Sequence, residues 1–220
     1  MSATDAPLTP AVRRDLLALP SRKRRGCGIM KQVNMKRTNI FHIALVTAFI
    51  LLIPLAAMQF TAEVNWSLFD FAVAGALLFG SGLAYELIAR RAGSVAYRAA
   101  AAVAVATALL LAWINLAVGI IGSEDNPVNR MYFAVPAVMI IGAGIARLRP
   151  RGMARALFAT ACAQALVPVI ALLSGKSPSM QEPPGVLGVL ALNAFFVLLF
   201  VGSALLFRHA GNTATVEPKA

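Results

Sequence analysis

Six continuous apolar runs, separated by short polar breaks, organise the chain. They lie at residues 39–60, 67–89, 99–122, 127–147, 152–174 and 184–207. About 20 apolar residues, each adding roughly 1.5 Å, carry a helix across the hydrocarbon core of a bilayer. Every run is of that length. In lipid, backbone N–H and C=O groups must be satisfied within a helix or a closed barrel. The runs lack the in–out alternation over roughly ten residues that a membrane barrel requires. The pattern therefore predicts an all-α polytopic membrane protein, a bundle of six transmembrane helices.

The breaks carry helix-boundary chemistry. Ser67-Leu68-Phe69-Asp70 reads as a capping box opening the second helix. Asn126-Pro127 places a capping residue before a proline at the first helical position of the fourth. Arg149-Pro150-Arg151-Gly152 reads as a tight turn, and Ser177-Pro178 and Pro183-Pro184 bracket the loop before the sixth helix. Such short loops make sequential helices antiparallel neighbours. Pro54 and Pro136 fall inside the first and fourth runs, where a proline frees a carbonyl and kinks the helix.

Composition narrows the class. Hydrophobic residues make up 59% of the 220, charged residues 13%, and the mean hydropathy is +0.75. Soluble domains carry roughly a quarter charged residues, so a water-soluble globular enzyme is excluded. Residues 1–37 read as a polar, basic, irregular cytoplasmic tail containing Arg22-Lys23-Arg24-Arg25, residues 38–208 as the six-helix transmembrane domain, and residues 209–220 as a short cytoplasmic tail. Met35-Lys36-Arg37-Thr38, directly before an apolar helix, looks like a natural beginning, and Met30 is another. An over-extended start is thus one reading of residues 1–34, and a native cytoplasmic flank the other. A secretory signal peptide fits poorly, because the first run is too long and lacks a small-x-small cleavage site before Glu63.

Charge sets the expected orientation. Lys and Arg number 20 against 9 Asp and Glu, a net +11. With both termini in the cytoplasm (N-in/C-in), eighteen of the twenty cations lie inside and only Arg130 and Lys176 lie outside. The outer face then holds Glu63, Asp70, Glu124, Asp125 and Glu182 and is net −3, while the inner face is +14. The basic charge reads as a topology signal and a band facing anionic headgroups at the cytoplasmic face, not as a nucleic-acid footprint.

Small residues mark where helices approach closely. The second helix carries Ala72, Ala76, Gly80 and Ala84, and the third Ala100, Ala104, Ala108 and Ala112. Gly142 and Ala146 in the fourth and Ala159 and Ala163 in the fifth are shorter versions. These ladders predict the second and third helices at the centre of the bundle. The competing reading is alanine abundance alone.

Polar groups inside the membrane are the default functional candidates. Asn115, Gln164 and Asn193 lie within runs, and Gln59 at the outer end of the first. Asn115, Gln164 and Asn193 with Glu63, Asn65, Glu124 and Asp125, and with Asn129 and Tyr132 beside them, define a candidate outward vestibule that attracts cations. A plainer account competes with it. Interhelical amide bonds hold bundles together at about 0.6 kcal/mol each. Asp70 caps a helix, Asp125 and Asn126 open another, and Trp66 and Tyr132 suit an interfacial aromatic belt. Glu63 has no such account.

At the inner side, Glu86 and Arg90 sit four apart, as an ion pair would, with a proton relay as the alternative for Glu86. His42 and His209 lie too near helix ends to face each other across a haem. Cys27 and Cys162 form no CxxC motif, and the eight methionines have no regular spacing. No cofactor or metal is expected. Pro54 and Pro136 in the first helix of each three-helix half, with Asn115 and Asn193 in the third, hint at an inverted repeat.

Met58-Gln59-Phe60-Thr61-Ala62-Glu63-Val64-Asn65-Trp66 followed by Asp70-Phe71, together with Trp113-Ile114-Asn115 leading to Val118-Gly119-Ile120-Ile121-Gly122-Ser123-Glu124-Asp125, resembles a group of small uncharacterised bacterial integral membrane proteins. The resemblance covers roughly residues 38–208 and implies a multi-pass protein of the bacterial inner membrane. It implies no activity, cofactor or site residue. Two functional classes remain. One is a structural or accessory protein that binds a partner, or a second copy, through small-residue helix faces. The other is a small transporter or channel with the acidic vestibule. An enzyme ranks below both, since no nucleophile–base pair or phosphate cradle is visible.

Overall fold

A computed structural model describes residues 23–61, 64–122, 126–174 and 185–213, with side chains from Asn39 onward. The described residues form helices α1 (Lys23–Phe60), α2 (Leu68–Ala89), α3 (Val95–Ala117), a 3₁₀ helix (Pro127–Phe133), α4 (Ala134–Ala146), α5 (Pro150–Leu173) and α6 (Gly185–Thr213), with no strand among them. Six spans are long and apolar enough to cross a membrane, the fourth being the 3₁₀ helix continued by α4.

The chain divides into two compact units, Met1–Leu45 and Val46–Ala220. In the first, the backbone is helical from Lys23, within the segment expected to be irregular. The second unit contains the bundle. There α6 packs against both α5 and α3, α5 packs also against α4, and α2 packs mainly against α3.

The α5–α6 seam follows from residue spacing. Val189, Asn193, Phe196, Phe200, Ser203, Phe207 and Ala210 of α6 are buried, and the steps between them alternate between four and three residues. Met153, Leu157, Thr160, Gln164, Val167 and Ala171 of α5 repeat the alternation. A mean step of 3.5 keeps such positions on one side of a helix over many turns. Phenylalanines of α6 meet small residues of α3: Ala100, Ala101 and Ala104 are almost fully buried, as are Phe196, Phe200 and Phe207. Close approach lets the Ser203 hydroxyl donate to the Ala100 carbonyl at 2.7 Å. Tyr97 meets Phe207 edge to face at 4.9 Å between ring centres.

The α4–α5 hairpin uses small residues reciprocally. A Cβ on Gly142 would lie 2.7 Å from the Ala156 Cβ, and one on Gly152 would lie 2.8 Å from the Ala146 Cβ. The two backbones touch at both levels, as small-xxx-small pairs allow. Gly142 and Ala146 thus act as expected. Their partners are Gly152 and Ala156, whereas Ala159 is exposed and Ala163 half-buried. The connecting turn is Arg147-Leu148-Arg149, and Pro150 already belongs to α5. Arg147 and Leu148 both take left-handed φ values, 50° and 57°. The Tyr97 hydroxyl on α3 clamps this turn by donating to the Leu148 carbonyl at 2.6 Å.

Several local expectations hold. Ser67 and Asp70 close the capping box, with Asp70 N–H donating to Ser67 Oγ and Ser67 N–H to Asp70 Oδ2. Asn126 Oδ1 accepts from Val128 N–H ahead of the 3₁₀ helix. Arg90 Nε meets Glu86 Oε1 at 3.0 Å.

Others are corrected. The ladder Ala72, Ala76, Gly80, Ala84 is exposed along its whole length, and α2 buries only Ala74 and Ile88. The centre belongs to α3, α5 and α6. The physical reason is geometric. Four residues turn an ideal helix by 400°, so a strict four-step ladder drifts about 40° per step and marks a small-residue face without fixing which way that face turns. In α3 the ladder begins on the seam, with Ala100 and Ala104 buried, and drifts to half-burial at Ala108 and Ala112. Pro136 lies in the first turn of α4, where a missing N–H costs little, while Pro168, not anticipated, lies inside α5. The inverted repeat loses its footing: α4 packs along α5, whereas α1 meets α2 at Leu51 against Gly75. Helix α6 continues to Thr213, with Ala210 and Gly211 buried in what was expected to be tail.

Candidate functional site

The polar residues of the interior gather around the 3₁₀ helix. Its three-residue period places Asn129 and Tyr132 on one face, and both are buried. The third apolar run stops being helical at Ala117, because Gly119 and Gly122 take positive φ values of 70° and 66° and turn the chain inward. Ile120 and Ile121 are thereby buried. Their N–H groups, left without helical partners, both donate to Asn129 Oδ1, at 3.2 and 2.9 Å. Asn129 Nδ2 donates to the Ile121 carbonyl. One side chain thus satisfies a buried loop.

Asn115, in the last turn of α3, donates through Nδ2 to the Asn129 backbone carbonyl at 3.1 Å. Three helices away, Asn193 of α6 accepts at Oδ1 from Gln164 Nε2 at 2.8 Å and from the Tyr132 hydroxyl at 3.0 Å. Its Nδ2 returns to the Val189 carbonyl one turn back. Asn115, Gln164 and Asn193 are all at least 95% buried. Two acceptors in this network have no hydrogen-bond partner among the described residues: Asn115 Oδ1 and Gln164 Oε1. Their amide orientations are fixed, since turning either side chain would set its oxygen against another oxygen. Pro168 also cannot donate to the Gln164 backbone carbonyl four residues earlier. The interior here is therefore rich in acceptors and short of donors.

Only part of the anticipated vestibule falls within the described residues. Asn115, Gln164 and Asn193 do lie in one bonded system through the 3₁₀ helix, but they are buried within packing. Asn65 is exposed in the α2-proximal loop and bonds to none of them. Glu63, Glu124 and Asp125 lie outside the described residues. Tyr132, read from sequence as a belt residue, is 1% exposed and serves the network instead. Trp66 packs against Trp113 at 5.8 Å and Phe71 at 5.3 Å. Among the described residues, no group of three or more His, Cys, Asp or Glu side chains is placed to hold a metal.

Sequence reasoning missed the part played by Asn129. Its signal was present: a glycine-flanked pair of isoleucines in a break has N–H groups that must find acceptors, and Asn129 is the amide eight residues on.

The fold and this neutral interior define a multi-pass helical membrane protein. No protein-family model matches the chain, and neither a curated protein nor a solved structure matches it.

Proposed function

We propose that this is a structural or accessory protein of the bacterial inner membrane, with both termini in the cytoplasm, that binds a membrane-spanning helix of a partner chain along α2. One observation carries the reading. Helices α3 to α6 satisfy one another, while the small-residue face of α2 (Ala72, Ala76, Gly80 and Ala84) is left uncovered. No heavy atom lies within 4 Å of where a Gly80 side chain would begin. Small residues facing lipid forfeit the packing that drives helix association in membranes. The orientation rests on the distribution of Lys and Arg, and the bacterial membrane on the likeness noted above. The test is cysteine cross-linking in native membranes, with Cys27 and Cys162 replaced by serine. Cysteines at Ala72, Ala76 and Ala84 should trap one protein product. A cysteine at exposed Ala165 of α5 should trap none, and equal labelling at both places removes the proposal.

A second reading, a small transporter with an outward polar vestibule, draws support from the two unpaired acceptors. A cation or a donor-bearing solute complements Asn115 Oδ1 and Gln164 Oε1. Replacing Gln164 by Leu should then abolish cation-dependent uptake into proteoliposomes. Uptake absent from the intact protein eliminates this reading.

A further inference from the structure

At the arginine-rich end of the bundle, α5 and α6 border a half-open cavity of about 270 Å³ lined by Arg151, Ala154, Arg155, Phe158, Arg208 and Asn212. Three of the six are arginines from two helices. The described residues contain only two carboxylates, Asp70 and Glu86, and each is engaged elsewhere, with Ser67 and Arg90. None of the three guanidinium groups thus has a carboxylate partner among the described residues. Their position adds to the imbalance. Arg151 and Arg155 occupy the first two turns of α5, the positive end of the helix dipole, where cations are disfavoured. The Arg149 side chain makes no capping bond there, unlike Ser67, Ser94 and Asn126 at other helix starts. Gly211 lets α6 pack closely against the start of α5 beside the arginines. A Cβ on it would lie 3.1 Å from Arg151 Cγ and 3.6 Å from Arg151 N.

The geometry points to a binding site for a phosphate group, supplied by the headgroup of an anionic lipid. Fork-shaped guanidinium groups match phosphate oxygens bidentately. An anion among them relieves both their mutual repulsion and the unfavourable dipole. The source follows from the walls. Ala154 and Phe158 line the cavity beside the arginines, so it joins cationic to apolar surface, as a phosphodiester joined to acyl chains does. Free inorganic phosphate shares the chemistry without using the apolar wall.

The test is native mass spectrometry of the detergent-purified full chain, titrated with phosphatidylglycerol or with inorganic phosphate. Phosphatidylglycerol should remain bound to the intact protein. The double variant Arg155→Gln/Arg208→Gln should bind it at least about tenfold more weakly. Arg98→Gln, at the same end of the bundle but outside the cavity, should bind as the intact protein does, and thermal unfolding should show that both variants remain folded. Displacement of the lipid by millimolar inorganic phosphate assigns the site to free phosphate and overturns the lipid source. Equal lipid binding by the intact protein and the double variant, or equal loss in Arg98→Gln, overturns the site itself.

Discussion

Helices α2 and α6 both pass for uninterrupted membrane spans, yet they hold opposite places in the molecule. Helix α6 buries nine residues in contact with α3 and α5, and α2 buries two. Apolar content does not separate them, because in lipid it says only that a helix crosses. Spacing does. The alternation of fours and threes in α6 keeps large side chains on one seam, where Phe196, Phe200 and Phe207 fill the gaps left by alanines of α3. The strict fours of α2 are exposed at all four positions. A stripe of small residues is thus an invitation to pack, and whether another helix accepts it depends on what the rest of the chain already occupies.

The contrast can be broken by mutation. The largest effect is expected at the seam: Phe200→Ala, fully buried, should cost about 3 kcal/mol or more, by analogy with buried phenylalanines elsewhere. Reversible unfolding in mixed micelles measures it, and a loss under about 1 kcal/mol would show that α6 is not the central element. Two glycines give the next test. Gly142→Leu forces a side chain into Ala156 and should cost on the order of 1–3 kcal/mol. Gly80→Leu should leave the stability of the isolated chain within about 0.5 kcal/mol. If the two behave alike, the distinction between packed and open small-residue faces fails.

The polar network ranks third. Asn193→Leu strands the Gln164 amide and the Tyr132 hydroxyl together and should cost about 1–2 kcal/mol. Tyr132→Phe on its own should lose roughly 0.6 kcal/mol. A double-mutant cycle between residues 164 and 193 with no coupling would mean that their bond is absent in solution. The smallest expected change is a gain. Arg147→Gly relieves one of two adjacent left-handed residues and should stabilise the α4–α5 turn by about 1 kcal/mol.

Much of the local structure was legible in the sequence, and the candidate site only in part. The capping box at Ser67, the cap at Asn126 and the Glu86–Arg90 pair are contacts between near neighbours, so spacing alone defines them. Asn115, Gln164 and Asn193 were conspicuous because amides in apolar runs are rare and must be satisfied. Their partners were not legible. Gln164 and Asn193 are 29 residues apart, and Tyr132 and Asn193 are 61 apart. Only the folding of α3 to α6 around the 3₁₀ helix brings them together.

What the sequence determined by itself was the number of spans and where they begin and end to within a few residues. The reason is that the bilayer acts on each segment separately, through its length, its apolar content and its boundary residues. Tertiary structure alone decided which helices lie at the centre, that Asn129 would close a buried turn, and that three arginines would share one cavity. In lipid every span is apolar enough to cross, so helices choose neighbours by shape, and shape complementarity belongs to pairs of surfaces and to no single one.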